Sequence, residues 1–193
     1  MPFVAIDIRT GERIDISTFR DPRRELQAGN YVCPLCEVQM FLRAGKVISP
    51  HFAHTIACIS DFDSHPESAE HLEAKRVLAE FLRREYAPMR GATVDLEVKV
   101  SEAGRIADLM VTLPSGWKIA HEIQLASITT GEIELRTKSY ARCGIDTYWW
   151  LGKSADTRTN RDWVMSYLGI CGIVGTKATQ GRIDLDRGGT ERN

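Results

Sequence analysis

Hydrophobic and polar residues alternate in three runs near the middle of the chain: TVDLEVKV (93–100), RIADLMVTL (105–113) and WKIAHEIQL (117–125). Alternation with a period of two is typical of β-strands that have one buried face. The joining segments SEAG and PSG carry turn-forming residues, so the three runs predict an antiparallel meander. Two shorter runs around the turn RTGE predict a hairpin over residues 3–16.

Helical patterns lie on both sides of this meander. The segment PESAEHLEAKRVLAEFLRREY (66–86) predicts a long helix, for which Ser64 is a candidate cap and Pro66 suits the first turn. A second helix is predicted over Thr130–Arg142, and it ends at Gly144.

Beyond the second helix, IDTYWWL (145–151) is apolar enough to predict a buried strand. Residues 161–170 predict a last helix. The tail GRIDLDRGGTERN (181–193) is polar and glycine-rich, which is typical of a mobile terminus.

Two acids in the meander are candidates for a metal site. In the third strand, Glu122 shares one face with Ala120 and Gln124, and a carboxylate in an apolar strand is costly unless it is paired or binds a metal. The turn near residues 114–116 sets Asp108, in the preceding strand, roughly opposite positions 122 to 124. Two such carboxylates would repel each other unless a divalent cation lay between them, and magnesium favours oxygen ligands.

The first helix adds Glu67 and His71 to this picture. At about 100° per residue they share one arc with the helix's apolar residues, and Lys75 lies at the edge of that arc. The pattern predicts that the helix aims Glu67 and His71 at the sheet, toward the same metal. The alternative is a solvated acid on an edge strand and a surface contact between Glu67 and His71, which are four residues apart.

Residues 31–58 are rich in cysteine and histidine. Cys33, Cys36, His51 and His54 form the pattern C-x2-C-x14-H-x2-H, which predicts a tetrahedral structural zinc site. Cys58 could replace one histidine, and a CxxC pair also occurs as buried thiols or as a redox pair. The aromatic residues of this region are predicted to pack around the site; they are Tyr31, Phe41 and Phe52.

The composition narrows the class of protein. The 193 residues are 43% hydrophobic and 26% charged, which suits one soluble domain, or one domain with a small appendage. The net charge of −1 gives no positive electrostatic field over the whole protein, so any DNA contact would depend on local basic patches. Candidate patches are Arg20, Arg23 and Arg24, or Arg83 and Arg84. These residues could equally be solvated surface. No apolar run is long enough for a bilayer and no signal-peptide order is present, so we expect a cytoplasmic protein without a membrane partner, whose cysteines are thiols or metal ligands.

Taken together, several motifs resemble one family. In order, they are CPLC (33–36), PHFAH (50–54), ESAEHLEAK (67–75), RIADL (105–109), HEIQLASI (121–128), RTKSY (136–140) and YWWL (148–151). Over residues 30–151 the chain resembles the competence protein CoiA family, whose nuclease-like domain belongs to the PD-(D/E)XK superfamily. The resemblance implies an α+β fold with a mixed sheet and an αβββαβ core, which agrees with the predicted order of elements.

The resemblance also implies roles for particular residues. Asp108 corresponds to the metal-binding aspartate, Glu122 to the second acid and Glu67 to an additional helix acid. Gln124 stands where the superfamily usually has a lysine, and a glutamine side chain can only hydrogen-bond. The hypothesis follows that His71 or Lys75 supplies the missing proton transfer or positive charge, with Lys75 in contact with the substrate.

These roles imply hydrolysis of DNA phosphodiester bonds with Mg²⁺ or Mn²⁺, in DNA processing, recombination or competence. Arg136 and Tyr140, one turn apart on the second helix, would contact the DNA backbone or pack on the surface. We expect a hairpin and zinc-ribbon-like unit over residues 1–60, a nuclease-like core over 61–155, and a C-terminal helix and tail over 156–193. Two alternatives are a DNA-binding accessory module that has lost cleavage and a zinc-stabilised scaffold for protein partners.

Overall fold

The computed structural model describes residues 2–27, 29–45, 48–57, 67–177 and 182–188. The chain forms two compact units, Met1–Arg76 and Val77–Asn193. The first contains a five-stranded sheet and the second a six-stranded sheet, so the fold is a mixed α+β arrangement. Ser64, Pro66 and Cys58, which entered the sequence predictions, lie outside the described residues.

Five short strands build the sheet of the first unit: β1 (Val4–Asp7), β2 (Arg13–Asp15), β3 (Tyr31–Val32), β4 (Gln39–Arg43) and β5 (His51–His54). Their order is β2-β1-β3-β4-β5, and the pairs described in this sheet are antiparallel. β1 and β2 confirm the predicted hairpin. A four-residue helix, α1 (Pro22–Glu25), follows β2.

The aromatic residues of this unit do not all pack as predicted. Tyr31 and Phe52 are buried, with ring centroids 5.0 Å apart, and Met40 is buried beside them. Phe41 is 37% exposed, so the prediction that it packs around the Cys/His site is wrong. The reason is strand alternation: Met40 takes the inner face of β4, and its neighbour Phe41 must take the outer face.

The elements after the first sheet follow the predicted order, and α2 contributes residues to both units. A long helix, α2 (Ala69–Tyr86), leads into the meander β6 (Thr93–Val100), β7 (Arg105–Thr112) and β8 (Lys118–Gln124), and then come α3 (Thr130–Ala141), β9 (Ile145–Gly152) and α4 (Arg158–Leu168). β6, β7 and β8 are antiparallel neighbours, whereas β8 and β9 are parallel. A parallel pair needs a crossover connection, and α3 supplies it.

Residues 182–188 depart from the prediction of a mobile tail, and the rest of that predicted tail lies outside the described residues. The strands β10 (Cys171–Lys177) and β11 (Arg182–Gly188) form an antiparallel pair, and β10 adds to β9 in parallel. The alternation of Ile183 and Leu185 with polar neighbours carried this signal in the sequence. The abundance of charge and glycine masked it.

Two helices cover opposite faces of the second sheet. Phe81 of α2 meets Trp150 edge-on, with 6.2 Å between ring centroids, whereas Trp149 donates from Nε1 to Thr137 of α3 at 2.9 Å. Trp149 and Trp150 are adjacent on β9, so their side chains point to opposite faces. Glu122 is in register with Trp149, and it therefore lies on the face that α3 covers.

Local sequence explains how α3 begins. Thr129 and Glu132 form a capping box: the Thr129 hydroxyl accepts from the Glu132 N–H at 3.2 Å, and the Glu132 carboxylate accepts from the Thr129 N–H at 2.9 Å. The helix then places Ile133, Thr137 and Tyr140 in the interior. Among the described residues, no helix is long and apolar enough to cross a membrane.

Candidate active site and metal centre

The β7–β8 ladder opens at Asp108. The paired positions run from Thr112 with Lys118 to Leu109 with His121, and beyond them the side chain of Asp108 replaces a backbone acceptor: its Oδ2 accepts from the Ile123 N–H at 2.9 Å. This register confirms the prediction that Asp108 lies roughly opposite positions 122 to 124.

The neighbouring strand is also irregular at this level. Leu96 pairs with Leu109 and Val98 pairs with Ala107, while Glu97, between them, has a positive φ of 52°. A non-glycine residue in this region carries backbone strain. The irregular segments of β6 and β8 therefore lie on either side of Asp108.

Glu122 is fully buried and held by two donors from α3. Tyr140 donates its hydroxyl to Oε1 at 2.7 Å, and the Arg136 guanidinium forms an ion pair with Oε2. Arg136 also lies over the Trp149 ring, 5.3 Å from its centroid. A buried carboxylate is tolerated when it is paired and hydrogen-bonded, and these two donors satisfy that requirement.

The electrostatics of this cluster are strongly coupled. Burial raises the pKa of Glu122 to about 7; Arg136 opposes this shift and the nearby Asp108 adds to it. Burial alone would lower the pKa of Arg136, but the Glu122 and Asp108 carboxylates more than offset it, so the pKa of Arg136 is raised. The pKa of Tyr140 is raised by burial and then by Glu122, which keeps the phenol protonated as a donor.

The structure therefore changes the roles predicted for Arg136 and Tyr140. The sequence placed them at a DNA backbone or on the surface; Tyr140 is buried, and both side chains are committed to Glu122. The spacing of Ile133, Arg136 and Tyr140, by three and four residues, was the available signal, because it puts all three on one helix face.

Gln124 also lies at this end of β8. Its Nε2 donates to the Ala126 carbonyl at 2.9 Å, and its Oε1 is 3.5 Å from the Arg136 guanidinium. These contacts hold the Gln124 amide beside the ion pair between Glu122 and Arg136. The amide itself is neutral.

Asp108 is better placed than Glu122 to bind a divalent cation. Asp108 is partly exposed and offers carboxylate oxygens, which suit Mg²⁺ or Mn²⁺. Each oxygen of Glu122 already accepts from a protein donor, although a carboxylate oxygen has a second lone pair. Asp108 would thus be the main ligand, and direct bonding by Glu122 would require the Arg136 guanidinium to shift.

The pKa of Glu122 makes the stability of the protein depend on pH. Because the folded-state pKa is about 7 and the ordinary value is 4.5, the folded state keeps a proton that the unfolded chain releases between these values. Stability should therefore fall as pH rises from 4.5 to 7, by on the order of 3 kcal/mol, and then level off. Urea unfolding in metal-free buffer at pH 5 and pH 8 measures this difference.

Glu122→Gln should remove most of that dependence, because the amide does not titrate. Glu134→Gln, an exposed change on α3, is the matched control and should leave the slope as in the wild type. Identical pH profiles for the wild type and Glu122→Gln would refute the assignment.

In the first unit, Glu67 is paired within the chain. Lys75 Nζ lies 2.5 Å from Glu67 Oε1, and His71 Nδ1 lies 3.5 Å from the same oxygen. Lys75 is almost fully buried, and its ammonium is 5.7 Å from the Phe3 ring centroid. The prediction that Lys75 contacts substrate is therefore corrected to an internal ion pair, because a buried ammonium needs a partner.

A second group of candidate ligands lies at the edge of the first sheet. Cys33, Cys36 and His54 bring their ligand atoms within 4.8 Å of one another, and Cys36 Sγ is 3.5 Å from His54 Nε2. Tetrahedral zinc with bonds of about 2.0 to 2.3 Å needs ligand atoms about 3.5 to 3.8 Å apart, so the group fits zinc. Burial raises the pKa of Cys33 to about 12, and bound zinc would supply the charge that stabilises its thiolate.

His51 does not join this group, contrary to the predicted four-ligand set. His51 and His54 are three residues apart on β5, so they point to opposite faces. His51 is buried, and its Nδ1 is 2.9 Å from the Ser49 carbonyl. A His-x2-His pair can place both rings on one ion from a turn, but not from a regular strand.

The chain is similar in sequence to proteins of known family. The model of the competence protein CoiA nuclease-like domain matches residues 67–168, and that of the CoiA N-terminal domain matches residues 18–59. Competence protein CoiA of Bacillus subtilis (strain 168) is 30% identical over 136 residues, which are 70% of this chain and 35% of that protein. The chain thus spans about a third of the length of this curated relative.

Two solved structures show weak overall similarity. SfsA of Pyrococcus furiosus in complex with Ca²⁺ aligns with a TM-score of 0.40 and 12% identity, over 79% of this chain and 78% of that one. A repair endonuclease from Pyrococcus abyssi aligns with a TM-score of 0.35 and 14% identity, over 67% and 58% of the two chains. On the sequence matches to both domain models and to the Bacillus protein, the chain belongs to the competence protein CoiA family.

Proposed function

We propose that this protein is a metal-dependent nuclease that hydrolyses DNA phosphodiester bonds in the cytoplasm, during DNA processing, recombination or competence. The core from α2 to β9 would be of the PD-(D/E)XK type. The observation that carries the proposal is the position of Asp108: it is a partly exposed carboxylate where the β7–β8 ladder opens, next to the buried acid Glu122. The nuclease-like description of the matching family domain supports it.

Each residue then has a distinct task. Asp108 would be the main ligand of Mg²⁺ or Mn²⁺, and Glu122 would join it when the Arg136 guanidinium shifts. The ion, when bound, would polarise the scissile phosphate and lower the pKa of a water. Arg136 and Tyr140 fix the Glu122 carboxylate and limit its mobility. Gln124 can orient a water or phosphate oxygen through its amide but cannot supply a positive charge. His71 and Glu67 as further catalytic groups remain predictions from the sequence.

The Cys33–Cys36–His54 group would bind zinc as a structural ion. The strands of the first unit are only two to five residues long, and small units are commonly stabilised by a metal. We propose that zinc maintains this unit as a surface that helps to hold DNA.

Cleavage of DNA by the purified 193-residue chain tests the proposal. Labelled single-stranded and double-stranded DNA are incubated with Mg²⁺ or Mn²⁺ and wild-type protein, Asp108→Asn, or Asp95→Asn. Asp95 is a partly buried acid on β6 of the same sheet and serves as the matched control. We expect Asp108→Asn to lower the cleavage rate by at least about a hundredfold, because it removes the anionic ligand, and Asp95→Asn to keep it.

Equal cleavage by the wild type and Asp108→Asn would contradict the active-site assignment. A DNA-binding accessory module without cleavage is the second candidate, and one observation favours it: both oxygens of Glu122 already accept from protein donors. DNA retention without metal-dependent cleavage would support that candidate. Absence of DNA binding at low salt would support a scaffold for protein partners instead.

A further inference from the structure

The first unit exposes one face of β4. Gln39, Phe41 and Arg43 are exposed along this strand, whereas Met40, between the first two, is fully buried. In the sheet register Val32 of β3 lies beside Gln39. The same face continues across β1 to β2, where Ile6 lies beside Val32 and Arg13 beside Ile6. We call this surface the outer face; its exposed and half-buried members are Ile6, Arg13, Asp15, Val32, Gln39, Phe41 and Arg43. Val4 and His51 share this face but are buried.

The outer face combines an exposed aromatic ring with positive charge. Phe41 is 37% exposed, and the Arg43 guanidinium lies over its ring, 5.1 Å from the centroid. Arg13 adds a second exposed guanidinium, and the two arginines stand against one acid on this face, the half-buried Asp15. The net charge of the whole chain is −1, so this local excess of positive charge is not a general property of the surface.

We infer that the outer face binds single-stranded DNA, with an unpaired base stacked on Phe41 and with Arg43 and Arg13 contacting phosphates. An aromatic ring on a sheet can stack on a base whatever its identity, and nearby guanidinium groups track the backbone. Paired bases in a duplex have no free face, so a duplex cannot use the Phe41 ring in this way. The inference rests on the proposed function for DNA as ligand and adds the form of DNA and the surface that binds it.

The test measures the affinity for a fluorescently labelled oligothymidylate by fluorescence anisotropy. The buffer contains no Mg²⁺, so that cleavage does not interfere. The whole 193-residue chain is used, purified without chelators. We expect Phe41→Ala to weaken binding by about tenfold or more, the usual effect of losing one stacked base, and Phe41→Trp to keep it. Arg43→Ala should lower the slope of log affinity against log salt by about 0.7, the value for one phosphate contact on a single strand.

Arg158→Ala is the matched control, since Arg158 is a highly exposed arginine on α4 in the other unit. It should leave the affinity close to that of the wild type, and Phe41→Ala should change duplex binding less than single-strand binding. Circular dichroism checks that each variant is folded.

Unchanged oligothymidylate binding by both Phe41→Ala and Arg43→Ala would overturn the inference, as would no single-strand binding at low salt. The binding and cleavage experiments distinguish failure of this inference from failure of the proposed function. A protein that cleaves DNA but ignores both substitutions keeps the nuclease and loses this surface. A protein that binds oligothymidylate through Phe41 but never cleaves keeps the surface and loses the nuclease.

Discussion

Arg136→Met is expected to lower the free energy of unfolding by about 3 kcal/mol at pH 8, the lower end of the range for breaking a buried ion pair from one side. The substitution keeps a similar apolar volume against Trp149 but leaves the buried Glu122 carboxylate without its counter-charge. Glu122 must then take up a proton or remain uncompensated, and either outcome costs stability. Urea unfolding followed by far-ultraviolet circular dichroism measures the change.

Lys138→Met is the matched control on the same helix, because Lys138 forms an exposed ion pair with Glu134. Such surface pairs contribute less than about 1 kcal/mol. The double variant Glu122→Gln with Arg136→Met should recover part of the loss, since it removes the buried charge as well as its partner. If Arg136→Met were no more destabilising than Lys138→Met, the ion pair would not be the reason that Glu122 is tolerated.

Cys33→Ser combined with Cys36→Ser is expected to abolish zinc binding and to unfold the first unit. Two of the three grouped ligands disappear, and binding of structural zinc can contribute on the order of 10 kcal/mol to folding of a small unit. Mass spectrometry of the purified wild type should find one zinc per chain. Limited proteolysis of the double variant should produce new cuts between residues 2 and 57 that the wild type resists.

Cys143→Ser is the control, because Cys143 belongs to the second unit and does not join the zinc group. It should keep one zinc per chain and the wild-type proteolysis pattern. Wild-type protein that is folded and protease-resistant without zinc would rule out a structural role for the metal.

The sequence predicted those parts of the second unit that follow from strand alternation and turn length. Period-two alternation located β6, β7 and β8, and the short turn between β7 and β8 was enough to bring Asp108 near Glu122. Turn length determines hairpin register, and register determines which side chains meet.

The sequence was less informative about which helix packs on each face of the second sheet. It placed Glu122 on one side of a strand, but strand alternation does not say which helix packs on that side. The observed partner is Arg136 on α3, so the cost of burying Glu122 is met by an ion pair within the protein. The first unit was harder still, because strands such as β3 are too short to show a period. Without β5 as a strand, the opposite orientations of His51 and His54 could not be foreseen.

The most direct test of the central claim, that Asp108 anchors a divalent cation, is a Mn²⁺ titration followed by electron paramagnetic resonance of the free ion. Wild-type protein purified without chelators is compared with Asp108→Asn and with Asp95→Asn. The account predicts that the wild type and Asp95→Asn bind Mn²⁺ alike and that Asp108→Asn binds it at least about tenfold more weakly. Equal Mn²⁺ binding by the wild type and Asp108→Asn would contradict the account.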